Sequence, residues 1–113
     1  MHSFPERATF RVTLKHINRA VYSGNIERMI FPTSTGDLDI GPDHCTLFQV
    51  VTPGWIKLWP VQEVTSLEFL STGGVLEILH NHAILDAFHL VEAHQRPQVE
   101  SLLKTLHNFY HDF

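Results

Sequence analysis

The sequence predicts a mainly β protein, a β-sandwich of about eight to ten short strands followed by one C-terminal α-helix. Three observations carry this. From Ala8 to about Ala87, short alternating or apolar segments are separated by Gly, Pro and Asn turn signals. After about Phe88 the apolar spacing changes from two to three and four, the period of a helix. The length of 113 residues, 43% of them apolar, is enough for one closed core and little more. Together they divide the chain into a sandwich over residues 1–88 and a short helical tail over residues 89–113.

Phe10, Val12 and Leu14 alternate with Arg11, Thr13 and Lys15, which predicts a first strand with one buried and one wet face, ended at Asn18 and Arg19. Ser23-Gly24-Asn25 reads as a tight turn. It leads into a strand in which Ile26, Arg28 and Ile30 oppose Glu27, Met29 and Phe31, and Pro32 stops it. Turn formers and acids dominate from Thr33 to His44, so that stretch reads as a surface loop held to the core by Leu38 and Ile40. The apolar run Leu47-Phe48-Gln49-Val50-Val51 closes at Thr52-Pro53-Gly54, and a strand from Trp55 to Trp59 follows, ending at Pro60. Three further strands are expected at Thr65 to Leu70, Val75 to Leu79 and Ala83 to Ala87. Ser71-Thr72-Gly73-Gly74 joins the first two, and His80-Asn81-His82 the last two. Pro97 suits a first helical turn, after which Val99, Leu102, Leu103, Leu106, Tyr110 and Phe113 draw one apolar stripe that must lie against something.

A formal charge of -4 argues against nucleic acid as a partner, because such a site must neutralise many phosphates. No leader or long apolar run is visible, so the chain is expected to be soluble, with no direct membrane insertion. Cys45 stands alone and reads as a small buried hydrophobe. Nucleophile elbows, zinc-protease helices and phosphate-cradling loops are all missing, so no catalytic residue and no cofactor is assigned. The nine histidines are dispersed and read mainly as solvated surface residues. Two weak metal signals remain: Asp37, Asp39 and Asp43 in a glycine-containing stretch could suit Ca²⁺, and His80 with His82 could chelate a transition metal. Both are incomplete, so no metal residue is assigned. A free-standing metal-binding β-sandwich is the alternative reading.

Four short motifs in order carry a resemblance: Val21-Tyr22-Ser23-Gly24, Pro42-Asp43-His44, Thr52-Pro53-Gly54-Trp55-Ile56, and Ser71-Thr72-Gly73-Gly74-Val75-Leu76-Glu77-Ile78. In this pattern the chain resembles the epsilon subunits of F-type ATP synthases from about Phe10 to Asp86. The resemblance implies a non-catalytic central-stalk subunit that links the gamma subunit to the c-ring. It would couple rotation to ATP synthesis or hydrolysis on the cytoplasmic side of an energy-transducing, bacterial inner membrane. By the same resemblance Gly36, Asp37, Leu38, Asp39, Ile40, Asp43 and His44 form the c-ring contact loop, His44 either meeting the ring or holding its own loop. Gly24, Gly54, Gly73 and Gly74 would serve structural turns. Trp55 and Trp59, on one side of their strand, are candidates for binding gamma or else two core tryptophans. The terminal stripe lies either on its own sandwich or on gamma. Asp39 and Asp43 stand where the family usually has glycine, Thr72 looks like an extra residue, and one helix fits after Pro97 where the family commonly has two. That helix would reach some 25 Å.

Overall fold

In the computed structural model, which describes residues 8–109, nine strands precede one helix. They are β1 (Phe10–His16), β2 (Arg19–Thr33), β3 (Gly36–Ile40), β4 (Leu47–Val51), β5 (Gly54–Pro60), β6 (Leu67–Ser71), β7 (Gly74–Leu79), β8 (His82–Ala87), β9 (Leu90–Glu92) and α1 (Arg96–Phe109). Hydrogen bonding runs in the order β4-β7-β8-β1-β2-β5-β6-β9, with β3 also paired to β2. Only β1 and β8 run parallel. Every strand sends at least one side chain into a single buried cluster, from Phe10, Val12 and Leu14 on β1 to Leu90 on β9. A continuous sheet can do this only by folding over on itself into two layers, which is the sandwich the alternating pattern predicts.

The long strand β2 makes the fold-over. Its first half pairs with β1, while its second half pairs with β3 on one edge and β5 on the other. Between Ile26 and Arg28 the register to β5 shifts by one residue, a β-bulge. Strict alternation assigns Ile26 and Met29 to opposite faces, but the extra residue resets the parity, so Ile26, Met29 and Phe31 are all fully buried.

Several local expectations are corrected. Ser23-Gly24-Asn25 is no turn: Gly24 lies inside β2, opposite Val12. The chain reverses instead at Ile17 and Asn18, both with left-handed φ (51° and 62°), and Arg19 begins β2 rather than ending β1. Pro32 does not stop its strand but pairs with Asp37 in the β2–β3 hairpin. Much of the Thr33 to His44 loop is therefore the strand β3. Leu90–Glu92, read as the start of the helical tail, forms β9 against β6. At the β6–β7 junction both glycines meet backbone closely. Gly73 has φ 100°, and a Cβ on it would sit 2.8 Å from the Val51 carbonyl oxygen. A Cβ on Gly74 would fall on the carbonyl oxygen of Asp86, so the β7–β8 pairing needs a residue without a side chain.

The helix covers the outer face of β6 and β9. Val99 and Leu106 are buried there with Leu70, and Val91, Leu102 and Leu103 close the margin. The helical stripe therefore rests on its own sandwich, the first of its two alternatives. Tyr110 and Phe113 lie outside the described residues.

Candidate binding surfaces

Two groups of residues that the sequence keeps apart meet on one outer face. Alternation along β5 buries Ile56 and Leu58, so Trp55, Lys57 and Trp59 point outward. The reading of Trp55 and Trp59 as core residues is thus overturned. In register across the sheet, Asp39 of β3 lies opposite Ile30 of β2, Ile30 opposite Lys57, and Lys57 opposite Glu68 of β6. Asp37 and Trp55 line the same shallow depression, together with Ile30, Pro32, Lys57 and Glu68.

Arg28 organises the neighbouring part of this face. Its Nε donates to both carboxylate oxygens of Asp39 (3.0 and 3.1 Å) and its Nη2 to Oδ2 (2.6 Å). The guanidinium also lies 4.8 Å from the centroid of the Trp59 ring. The hydrogen bonds from Arg28, aided by its charge, hold the Asp39 carboxyl below its ordinary range, and the same bonds raise the guanidinium. Trp59 is therefore already engaged and half-buried, whereas Trp55, 37% exposed, is the freer of the two. Asp39 is extended in β3, so replacing the family's glycine there carries no left-handed cost.

Asp43 and His44 belong to a different region, the end of the sandwich formed by the β7–β8 turn. Asp43 takes a left-handed φ of 58°. Its N–H donates to Oδ1 of Asn81 (2.8 Å), and Nδ2 of Asn81 donates to the Thr9 carbonyl (2.9 Å). The Asn81 carbonyl in turn accepts from the Arg11 N–H (3.1 Å). One asparagine thus ties three segments together, and φ 51° at His80 with φ 59° at Asn81 gives the two-residue hairpin that presents it. His44 Nδ1 lies 2.9 Å from the Cys45 carbonyl, a bond within its own loop. Cys45 is exposed, not the buried hydrophobe the sequence suggests. His80 and His82 do not share a strand face: His80 sits in the turn, and His82 Nε2 meets Thr13 Oγ1 at 2.9 Å. Gly54, the remaining turn glycine, opens β5 against Pro32, and Gly36 of the c-ring segment opens β3 with φ 118°.

Sequence reasoning missed an exposed apolar pair on β4. Phe48 is 69% and Val50 59% exposed, while Val51 and partly Leu47 face the core. The one polar residue of the run points the wrong way: Gln49 shares the inward parity with Leu47 and Val51, so alternation read from sequence would turn Phe48 and Val50 to the core.

The profile of a family described as ATP synthase, Delta/Epsilon chain, beta-sandwich domain matches residues 9–87. An ATP synthase epsilon chain of Vesicomyosocius okutanii is 31% identical over 104 residues, covering 82% of this chain and 74% of that relative. Another, from Halorhodospira halophila, is 28% identical over 71 residues, 63% of this chain but half of the relative. The ATP synthase epsilon chain 2 of Burkholderia orbicola is 26% identical over 96 residues, 85% of this chain and 61% of its own length. The chain thus spans between half and three quarters of these relatives. Among solved structures, a chain of the Euglena gracilis mitochondrial ATP synthase (OSCP/F1/c-ring, rotational state 1) superposes with a TM-score of 0.73 at 13% identity, covering 95% of this chain and 74% of that one. A chain of the Tetrahymena thermophila mitochondrial ATP synthase central stalk/c-ring gives 0.63 at 22% identity, covering 80% and 72%. At these identities the structural likeness is one of fold.

Proposed function

The chain belongs to the ATP synthase delta/epsilon-chain β-sandwich family, and on that premise we propose that it works as a non-catalytic central-stalk subunit of an F-type ATP synthase, joining the gamma subunit to the c-ring. The observation that carries the reading is the family match across residues 9–87, which takes in strands β1 to β8. In this role the chain makes and breaks no bond. It is a rigid coupling piece, and a core fed by all nine strands suits a part that must transmit torque without deforming.

The end bearing Asp43 and His44 is assigned to the c-ring. Its backbone is held by Asn81, so a polar loop is presented in one conformation and little entropy is lost on contact. Gly36, Asp37, Leu38, Asp39 and Ile40, which the resemblance also assigns to the c-ring, form the strand β3 that leads into this loop, with Asp37 and Asp39 on the face that carries Trp55. Trp55 is assigned to gamma, since an exposed tryptophan on a sheet face is a strong interface anchor. The exposed pair Phe48 and Val50 favours a second placement of the gamma contact, on the opposite layer. The complex is held at the cytoplasmic side of an energy-transducing membrane through its partners. No helix among the described residues is long and apolar enough to cross a membrane.

Co-expression with the gamma subunit from the same source, followed by size exclusion, tests the reading. A one-to-one complex is expected, weakened by Trp55→Ala or, under the second placement, by Phe48→Ala. Absence of any complex from a folded pair would overturn the stalk assignment. The exposed thiol of Cys45, next to His44, gives a native handle for the other end. A short thiol-reactive cross-linker on Cys45 should capture the c subunit in the assembled enzyme.

A further inference from the structure

We propose that His16 and His89 form a two-histidine site for a divalent transition-metal ion, of the Zn²⁺ class, at the end of the sandwich opposite the Asp43 loop. Nε2 of His16 is buried and has no hydrogen-bond partner, the one such side-chain atom among the described residues. A buried imidazole nitrogen left unpaired is costly and calls for a partner. The ring of His16 meets that of His89 edge-on, with centroids 5.2 Å apart at an interplanar angle of 65°. His16 sits at the end of β1, opposite Ala87 of β8, and His89 follows two residues later on the link into β9. The topology thus brings together two imidazoles far apart in sequence.

The separation fits a shared ion. With a Zn–N distance of about 2.0–2.1 Å, each ring centroid stands roughly 3.2 Å from the metal, and a tetrahedral angle then places two centroids about 5.2 Å apart. His89 is exposed, so its ring can turn about its own axis to aim a nitrogen without moving its centroid. Its N–H is held by Thr72 Oγ1 (3.0 Å) and its carbonyl by the Thr72 N–H (3.1 Å), which fixes the backbone that carries it. A depression lined by Ile17, Asp86, Phe88 and His89 opens on the His89 side of the pair and gives an ion access to that ring from solvent, with acidic Asp86 in its lining to attract a cation. Imidazole is a preferred ligand for Zn²⁺, Ni²⁺ and Cu²⁺. Water would complete the coordination.

The test is a Zn²⁺ titration of the full chain, followed by NMR of the imidazole ¹⁵N resonances. Saturable, concerted shifts of His16 and His89 are expected, and His89→Ala should abolish the response at His16. His94→Ala, which removes a surface histidine paired with Glu92 (2.8 Å), should leave it intact. His89 is exposed, so its replacement tests the site without risking the core. The proposal is overturned if the His16 resonances stay still while other histidines take up the metal, or if they respond equally in the His89→Ala variant.

Discussion

Replacing Leu106 by Ala should release the helix while leaving the sandwich folded. Leu106 is 1% exposed and packs with Val99 and Leu70 in a cluster separate from the main core. Truncating a buried leucine to alanine costs about 2–5 kcal/mol. The lower part of that range, about 2–3 kcal/mol, applies where neighbours such as Leu102 and Leu103 are only half-buried and can settle into the space. A helix of this length is marginal in water on its own, so its docking supplies most of the free energy that keeps it formed. Converted at about 1.4 kcal/mol per tenfold, the loss lowers hydrogen-exchange protection in α1 by roughly 30- to 150-fold. Native-state exchange read by NMR is the assay, with helix amides such as Leu102 and Leu103 set against β1 and β8 amides such as Val12 and Leu85. Helix protection should fall and sheet protection hold. If α1 protection changes less than threefold, Leu106 does not hold the helix; an equal fall in the sheet would show that the two layers and the helix open as one unit.

Gly74→Ala should destabilise the whole sandwich by at least about 1–3 kcal/mol, because its Cβ meets the Asp86 backbone. Gly41→Ala, with open space around it, should be nearly neutral, and equal thermal midpoints for the two variants would refute the argument. Asn81→Ala should cost about 0.5–1.5 kcal/mol by removing its bonds to the exposed Asp43 N–H and the part-buried Thr9 carbonyl. Asn81→Gly keeps the left-handed turn available, so a similar loss in that variant, measured by urea unfolding, assigns the cost to the lost hydrogen bonds. The depressed Asp39 carboxyl stabilises the fold slightly above its unfolded value near 3.8, and that contribution disappears as pH falls below this through the folded value. In Arg28→Ala the NMR titration midpoint of Asp39 should rise; an unchanged midpoint would mean that Arg28 is not its cause.

Much of the sandwich was legible because burial of one face imposes a period of two. The β1 pattern, with Phe10, Val12 and Leu14 on one buried face, needed no tertiary information, whereas along β5 the alternation left open whether Trp55 and Trp59 or Ile56 and Leu58 face the core. The helical stripe through Val99 and Leu106 was equally clear. Misreadings cluster where local turn chemistry competed with long-range pairing. Ser23-Gly24-Asn25 has the composition of a turn, yet backbone hydrogen bonds to β1 on one side keep it extended. Thr33 to His44 is rich in turn formers, but pairing with β2 draws Gly36 to Ile40 into a strand, and its outward acids suit an edge.

The β class, the terminal helix and the motifs that mark the family could be read along the chain, because each rests on near-neighbour periodicity or short turn patterns. Only the tertiary structure decided which faces are surfaces. It set Trp55 and Trp59 outside, joined Asp39 to Arg28, placed Asp43 on Asn81, and met His16 with His89. Those contacts depend on strand order and on a bulge at β2, and a one-residue change of register would turn each side chain to the other face.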